Sequence, residues 1–237
     1  MTVNSELRFA GGGRERVLEV VRRRQARSLR LTVDPRDGAV RLSMPQRAAL
    51  KPALAWAAGK RSWVEGQLGK LPMPRPIVPG MTLQLAGEDV TLDWAEHYPR
   101  RVERLGERLR VGGPRDLLGG RVLRCLRVEA LQLLDAETRA LALPHDISVS
   151  EVAVGDPGSR WGSCSSSGAI RYSWRLILAP PFVRTATVAH ELAHRLHMDH
   201  SPAFHAAAAR ILRADPTPAR RWLRAHGSAL HWFGREG

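Results

Sequence analysis

The stretch His190-Glu191-Leu192-Ala193-His194, followed by His200, is the most informative part of this 237-residue chain. Residues four positions apart on an α-helix point to the same side, so His190 and His194 face one direction. Two neutral imidazoles at this spacing can bind one zinc ion. Glu191 lies beside the first histidine, where its carboxylate can deprotonate an attacking water. The pattern predicts a zinc site on a helix, with Glu191 as the general base.

A third protein ligand must come from downstream of this helix. No glutamate occurs between Glu191 and Glu236, which nearly excludes the glutamate ligand of thermolysin-type sites. The remaining candidates are His197, Asp199, His200, His205, Asp215 and His226.

His200 is the best placed of these candidates. His197 follows the second histidine after three positions and approaches from almost the same side of the helix. His200 lies a further turn along, just before Ser201-Pro202, where the proline disfavours a helical conformation of the preceding residue. A turn there returns His200 towards the metal from another direction. The predicted ligands are therefore His190, His194 and His200.

Length and composition set broad limits on the class of protein. A chain of 237 residues with 43% hydrophobic residues can bury a full core. The first twenty residues contain no apolar signal-peptide region, and no run of 18 apolar residues occurs. Cys125 and Cys164 stand far apart and form no CxxC pair, so we expect reduced thiols and no cysteine zinc site. We expect a cytoplasmic protein that does not contact the membrane.

The net charge of +14 comes almost entirely from 34 arginines, against only three lysines. Two explanations stay open. A genome with GC-rich codons produces arginine throughout a chain, and the arginines here are spread along the whole sequence. Alternatively, an arginine-rich surface binds nucleic acid. No recognised nucleic-acid-binding motif accompanies the charge.

Hydrophobic patterns predict a β-rich first half. Alternating residues on both sides of the turn Asp34 to Gly38 predict a β-hairpin, and residues 46–70 have the spacing of one helix. A proline-rich connector occupies residues 71–80. Short strands are expected from there to residue 111.

The second half is mainly helical. A long helix is predicted over 117–143 and strands over 147–154 and 169–178. The helix of the metal site begins at Pro180-Pro181, which suits the first turn of a helix, and two helices follow it. We therefore assign an α+β fold, with a β-rich N-terminal region at 1–115 and a catalytic domain at 116–237.

Several motifs together resemble the YgjP-like metal-dependent hydrolase family. They are Arg160-Trp161-Gly162-Ser163-Cys164, the segment from Trp174 to Pro180, HELAH, and His200-Ser201-Pro202 with Phe204. That family is similar to the WLM and SprT-like minimal zinc peptidases. The resemblance spans about residues 15–230 and implies a minimal zincin-like catalytic unit behind the β-rich part. It implies the same three histidine ligands and a catalytic Glu191. Three positions differ from the family's usual residues: Ser173, Arg195 and His205.

Two functions are consistent with these features. The first is a zinc metallopeptidase that cleaves peptide bonds with a zinc-activated water, with a strand at 169–178 holding the peptide. The second is a metal-dependent nucleoside triphosphate pyrophosphatase, an activity described for some members of the resembled family. The peptidase is favoured because the chain has no P-loop and three histidines suit zinc better than a magnesium nucleotide. Arg160 is expected to stabilise an oxyanion or to bind an anionic group of the substrate.

Overall fold

A computed structural model describes residues 2–236. The chain divides into two compact units, Met1–Pro74 and Arg75–Gly237, so the boundary lies within the predicted proline-rich connector. The fold is α+β, as the sequence predicts: three small sheets and six α-helices lie within the described residues. In that part of the chain, no helix combines the length and apolar character needed to cross a membrane.

The first unit is a four-stranded sheet packed against two helices. Its strands, in the spatial order β1-β2-β4-β3, are β1 (Thr2–Gly11), β2 (Arg14–Arg23), β3 (Arg30–Val33) and β4 (Val40–Pro45). The helices are α1 (Leu50–Ala58) and α2 (Arg61–Leu68). The core forms where alternate sheet residues, such as Leu18 and Leu42, meet the buried faces of the helices at Ala57 and Val64.

Turn chemistry accounts for the connections of this unit. β1 and β2 join through Gly12 and Gly13, which both adopt positive φ, as a tight hairpin turn requires. The predicted hairpin after residue 29 is confirmed as the antiparallel pair β3–β4. The single helix predicted over 46–70 is wrong. It is two helices separated at Gly59-Lys60, because glycine lowers helix stability there.

The second unit contains two sheets and four helices. One sheet has the order β5-β6-β8-β7, with β5 (Thr82–Leu85), β6 (Glu88–Trp94), β7 (Glu103–Leu105) and β8 (Arg108–Val111). The other has the order β10-β11-β9, with β9 (Glu151–Gly155), β10 (Gly162–Cys164) and β11 (Ala169–Ser173). The helices are α3 (Leu118–Ala142), α4 (Pro181–Ala193), α5 (Pro202–Leu212) and α6 (Thr217–Trp232).

One apolar core joins the sheet at residues 82–111 to the helices of this unit. Leu85 and Leu109 from the sheet share it with Leu126 and Leu134 of α3, whose buried residues recur every four positions. This shared core is why the sheet belongs to the second compact unit. The division of the chain into 1–115 and 116–237 stays a prediction.

The strand predicted over 169–178 is shorter than expected, and it lies in the centre of its sheet and not at an edge. β11 ends at Ser173, and residues 174–178 form a buried 3₁₀ turn. A continuous apolar run has no periodicity that separates a strand from a buried turn. β11 is the central strand, with β10 and β9 at the two edges.

The two ends of the second unit meet. The backbone N–H of Arg75 donates to the carbonyl of Trp232 at 3.0 Å, and the N–H of Gly234 donates to the carbonyl of Arg75 at 2.8 Å. These bonds form a short parallel bridge between Arg75 and Phe233.

Candidate metal centre

The HELAH motif occupies the last turn of α4. The helix starts at Pro180-Pro181, where a missing N–H costs nothing because the first turn has no intrahelical acceptor for it. Val188 and Leu192 are fully buried and hold the helix in the core. The helix ends at Ala193, so His194 is the first residue beyond its final turn. The two histidines of the motif thus sit where the helix emerges from the core.

A capped turn returns the chain from His194 to the same site. The carboxylate of Asp199 accepts the N–H of Ser201 at 3.2 Å. The hydroxyl of Ser201 accepts the N–H of Phe204 at 3.4 Å and caps the start of α5. Serine is a favoured N-cap, and Pro202 at the first helical position reinforces the start. The turn predicted at Ser201-Pro202 is confirmed.

The three predicted ligands come together at this turn. One ring nitrogen from each of His190, His194 and His200 can be chosen so that all three lie within 4.8 Å of one another. The Nε2 atoms of His190 and His200 are 3.3 Å apart. Tetrahedral ligands at about 2.1 Å from a zinc ion are about 3.4 Å apart, so this spacing fits a single divalent metal. The donor set, three imidazole nitrogens, suits the same class of ion.

Phe204 supports all three imidazoles. Its ring is fully buried, and its centroid lies 4.8 Å from that of His190, 4.5 Å from that of His194 and 4.7 Å from that of His200. Such contacts restrict the rotamers of the three imidazoles. Nothing in the local spacing of the histidines indicates this role. The only sequence signal is the position of Phe204 in the motif that resembles the family.

The protonation of His190 and His194 also suits a metal. The Nδ1 of His194 lies 3.2 Å from the carbonyl of His197, which can only accept, so Nδ1 carries the proton and Nε2 is free. Burial, and then the neighbouring His194 and His200, lower the pKa of His190 to about 4. Burial also lowers the pKa of His194, although the contact with His197 acts in the opposite direction. Neutral imidazoles are the form that binds a metal.

Glu191 is buried next to the cluster, with 4% of its surface exposed. Burial raises the pKa of Glu191 to about 7, against the opposing influence of the Arg160 guanidinium. Strand β10 packs closely against this side chain: a Cβ added at Gly162 would lie 2.4 Å from Oε1 of Glu191. Only glycine permits this approach, which explains the Trp-Gly pair in the sequence motif.

The segment before β10 forms a wall next to Glu191. Trp161 lies between this site and α6: its ring centroid is 5.1 Å from that of His231, and a Cβ added at Gly227 would come within 2.8 Å of the indole. Arg160 is exposed and lines the same cavity as Glu191. Trp161 is thus a packed indole and also part of this wall.

A buried arginine fixes this wall. Arg175 is 6% exposed and forms two hydrogen bonds to the carboxylate of Asp156, at 2.8 and 3.0 Å. It also donates to the carbonyl oxygens of Leu230, at 2.6 Å, and Phe233, at 3.1 Å. The loop that leads into Trp161 is thereby tied to the end of α6. The sequence includes Arg175 in the motif segment from Trp174 to Pro180 but does not indicate this role, because its partners are distant in the chain.

The other candidates lie outside the cluster. His205 is exposed, with its ring centroid 6.3 Å from that of His200, and His197 contributes its backbone carbonyl. Cys164 is half-buried and a free thiol, and burial raises its pKa. Arg195, which differs from the family's usual residue, ties α4 to two loops through the carbonyls of Ser148 and Ser166.

One comparison with known proteins identifies the family of this chain. The family described as YgjP-like, metallopeptidase domain, matches residues 27–226, which include the histidine cluster and Glu191. Comparison with curated proteins and with solved structures finds no match. The match covers most of the chain, and the cluster supplies a donor set for a divalent metal. The chain therefore belongs to the YgjP-like metallopeptidase family and is a metal-dependent hydrolase.

Proposed function

We propose that this protein is a zinc metallopeptidase in which His190, His194 and His200 hold the metal. The observation that carries the proposal is the convergence of three imidazoles beside one buried carboxylate. Zinc bound by such a set supplies Lewis acidity, which polarises a scissile carbonyl and lowers the pKa of an attacking water.

Glu191 is proposed as the general base. Its pKa of about 7 lies near neutral pH, where a base of that pKa is available and still strong enough to take a proton. The side chain takes a proton from the attacking water and passes it to the leaving amine. The contact with Gly162 keeps the carboxylate in one position for both transfers.

Strand β10 is proposed to hold the substrate backbone. It is an edge strand, and its inner side bonds to β11: the carbonyl of Trp161 accepts from Ser173 at 2.8 Å, and Ser165 donates to Ala169 at 2.9 Å. Because antiparallel strands alternate, the backbone groups of Gly162 and Cys164 face the free edge. An extended peptide that paired there would lie directly beside Glu191. The substrate strand proposed from the sequence is thus β10 and not β11.

The experiment offers both candidate substrates to zinc-loaded protein, namely a peptide mixture and nucleoside triphosphates, with products identified by mass spectrometry. Glu191→Gln keeps size and hydrogen bonding but cannot accept a proton. We expect peptide hydrolysis to fall by about 10²- to 10⁴-fold, the usual range for a lost general base, with zinc content and melting temperature unchanged.

Three results would contradict the proposal. Near-normal turnover in the zinc-loaded Glu191→Gln protein would remove Glu191 from the reaction. Loss of zinc from that variant would make Glu191 a ligand or a structural support of the site. Hydrolysis of triphosphates alone, lost with the same substitution, would establish the phosphohydrolase alternative at this centre.

A further inference from the structure

A cavity of about 230 Å³ opens directly beside Glu191 and His190. It lies between α4, α5, α6 and the segment that leads into β10. Binding sites for whole drug-sized ligands have volumes of about 300–1,000 Å³, so this cavity is suited to one side chain and not to an entire nucleotide. The apolar side chains that line it are Trp161, Ala186, Ala208, Pro216, Ala219 and Leu223.

The inner part of the cavity is formed by small side chains. Ala186, Ala208 and Ala219 come from three different helices and are each buried, with 4–7% of their surface exposed. None of them offers a hydrogen-bonding group, so the interior favours an apolar substituent. The depth of the cavity depends on these positions remaining small.

Two arginines line the same cavity at its open side. Arg160 and Arg220 are both exposed, whereas the alanines are buried. Neither forms an ion pair within residues 6–236. Nearby arginines are engaged in the fold: Arg175 pairs with Asp156, and Arg184 pairs with Glu137. The cavity therefore combines buried alanine side chains with two exposed guanidinium groups, which act on Glu191 and Asp215 through charge but form no ion pair within the described residues.

We propose that this cavity binds the apolar side chain of one substrate residue, while Arg160 and Arg220 bind a carboxylate next to it. The inference rests on the proposed peptidase function and names its substrate class. Substrates are peptides in which an apolar residue beside the scissile bond carries or precedes a carboxylate. Arg160 takes the second of its two expected roles, the binding of an anionic group. Guanidinium groups pair with both oxygens of a carboxylate, which gives orientation as well as affinity.

The carboxylate has two possible sources. It is either the free C-terminus of the apolar residue or the side chain of an acidic residue that follows it. Both present the same pair of oxygens to the arginines. Three peptides with a common N-terminal part, ending in leucine, leucinamide and Leu-Asp-amide, distinguish them by their relative rates of cleavage.

Binding is measured first, so that the test does not depend on turnover. The full-length protein, with zinc and after its removal, is titrated calorimetrically with N-acetylleucine, N-acetylleucinamide and N-acetylglycine. We expect the amide to bind about tenfold more weakly than the acid, the size of one charge-assisted hydrogen bond. We expect the glycine compound to bind at least about tenfold more weakly, because burial of a leucine side chain is lost.

Charge variants locate the carboxylate. Arg220→Gln should remove most of the difference between acid and amide. Arg221→Gln is the matched control: it is exposed on the same helix, and both guanidiniums act on Asp215, but Arg221 does not line the cavity. An unchanged acid-to-amide ratio in Arg220→Gln would overturn the role of this arginine.

Size variants test the apolar interior. Ala219→Leu should fill the cavity and abolish the preference for N-acetylleucine over N-acetylglycine. Leu223→Ala should enlarge it and improve binding of N-acetyltryptophan relative to N-acetylleucine. The second variant removes atoms only, so it remains informative if the first does not fold. Ala225→Leu, on the exposed side of α6, should change neither ratio. Equal preferences in all three proteins would overturn the inference.

The outcomes separate this inference from the proposed function. Peptide cleavage with no preference among the three peptides would overturn the inference and leave the peptidase standing. No peptide cleavage, with the binding ratios as expected, would contradict the peptidase and support the cavity assignment. A different result is a nucleoside triphosphate that displaces N-acetylleucine, with binding that is lost on substitution of Trp161 or Arg220. That result would make the cavity a nucleotide site and would overturn the inference.

Discussion

The candidate metal centre and an arginine-rich surface of the same unit differ in how their polar groups are fixed in position. In the metal centre, three imidazoles pack on the fully buried Phe204, and Glu191 is almost completely buried. The second region, here called the arginine groove, has a volume of about 450 Å³ and is mostly exposed. The arginines that line it are Arg100, Arg101, Arg121 and Arg124.

Function depends on exact atomic positions in the metal centre and on charge density in the arginine groove. Buried polar groups are placed by packing, so a change of one atom alters their geometry. Exposed guanidinium groups act through charge density, which falls gradually as single charges are removed. In the groove only Arg121 has a described backbone acceptor, the carbonyl of Pro114 at 3.0 Å. We therefore expect abrupt losses at the metal centre and graded losses at the groove.

The largest effect is expected from loss of a ligand. His200→Ala should reduce zinc from about one ion per chain to near zero and abolish hydrolysis, because two imidazoles do not complete the site. His205→Ala is the matched control, since this histidine is nearby but exposed and outside the cluster. Elemental analysis of both purified variants gives the result. Full zinc occupancy in His200→Ala would refute the ligand assignment.

A smaller effect is expected where β10 contacts Glu191. Gly162→Ala introduces a Cβ within 2.4 Å of Oε1, so the carboxylate or the strand must shift. A displacement of about 1 Å in an active site costs roughly 10²-fold in rate, and the zinc content should not change. We expect that loss in steady-state peptide hydrolysis.

The control for this substitution is Gly119→Ala in α3, where the added Cβ meets no atom within 4 Å. It should retain full activity and gain about 0.5–1 kcal/mol of stability, because alanine favours a helix. Equal activity in the two variants would show that the contact between Gly162 and Glu191 has no catalytic importance.

The smallest effect is expected in the arginine groove. If it binds nucleic acid, Arg100→Gln combined with Arg124→Gln should weaken binding and lower the slope of log affinity against log salt by about one per lost phosphate contact. Peptide hydrolysis should be unaffected. The double variant Arg221→Gln and Arg224→Gln removes the same charge from α6 and controls for net charge. Absence of binding by the wild-type protein at low salt would leave codon usage as the explanation of the arginines.

The sequence alone predicts the parts of the site that depend on local geometry. The spacing of HELAH follows from the helical period, and Pro202 indicates the turn that returns His200. For the same reason the hairpin at residues 34–38 is predictable, since its turn residues are adjacent in the chain. The resemblance to the family adds Phe204 and the Trp161-Gly162 pair, although not their contacts.

The remaining parts depend on residues distant in sequence. The alanines of the cavity come from three helices, and no periodic pattern relates Ala186 to Ala219. Arg175 is an ordinary arginine among 34 until its contact with Asp156 is known. β1 is a different case: the strand was not predicted, although Leu7 and Phe9 alternate and Gly12-Gly13 marks a hairpin turn, which are local signals.

The bridge between Arg75 and Phe233 has a consequence for folding and engineering. It closes a chain segment that includes nearly the whole second unit, so its formation costs more loop entropy than any local turn and raises the contact order. The two hydrogen bonds of this bridge should form late in folding and break early when the unit unfolds. Adjacent ends also suit circular permutation, in which a short linker joins them and new termini are cut in an exposed loop. The catalytic unit could thus be inserted into another protein without separating its ends.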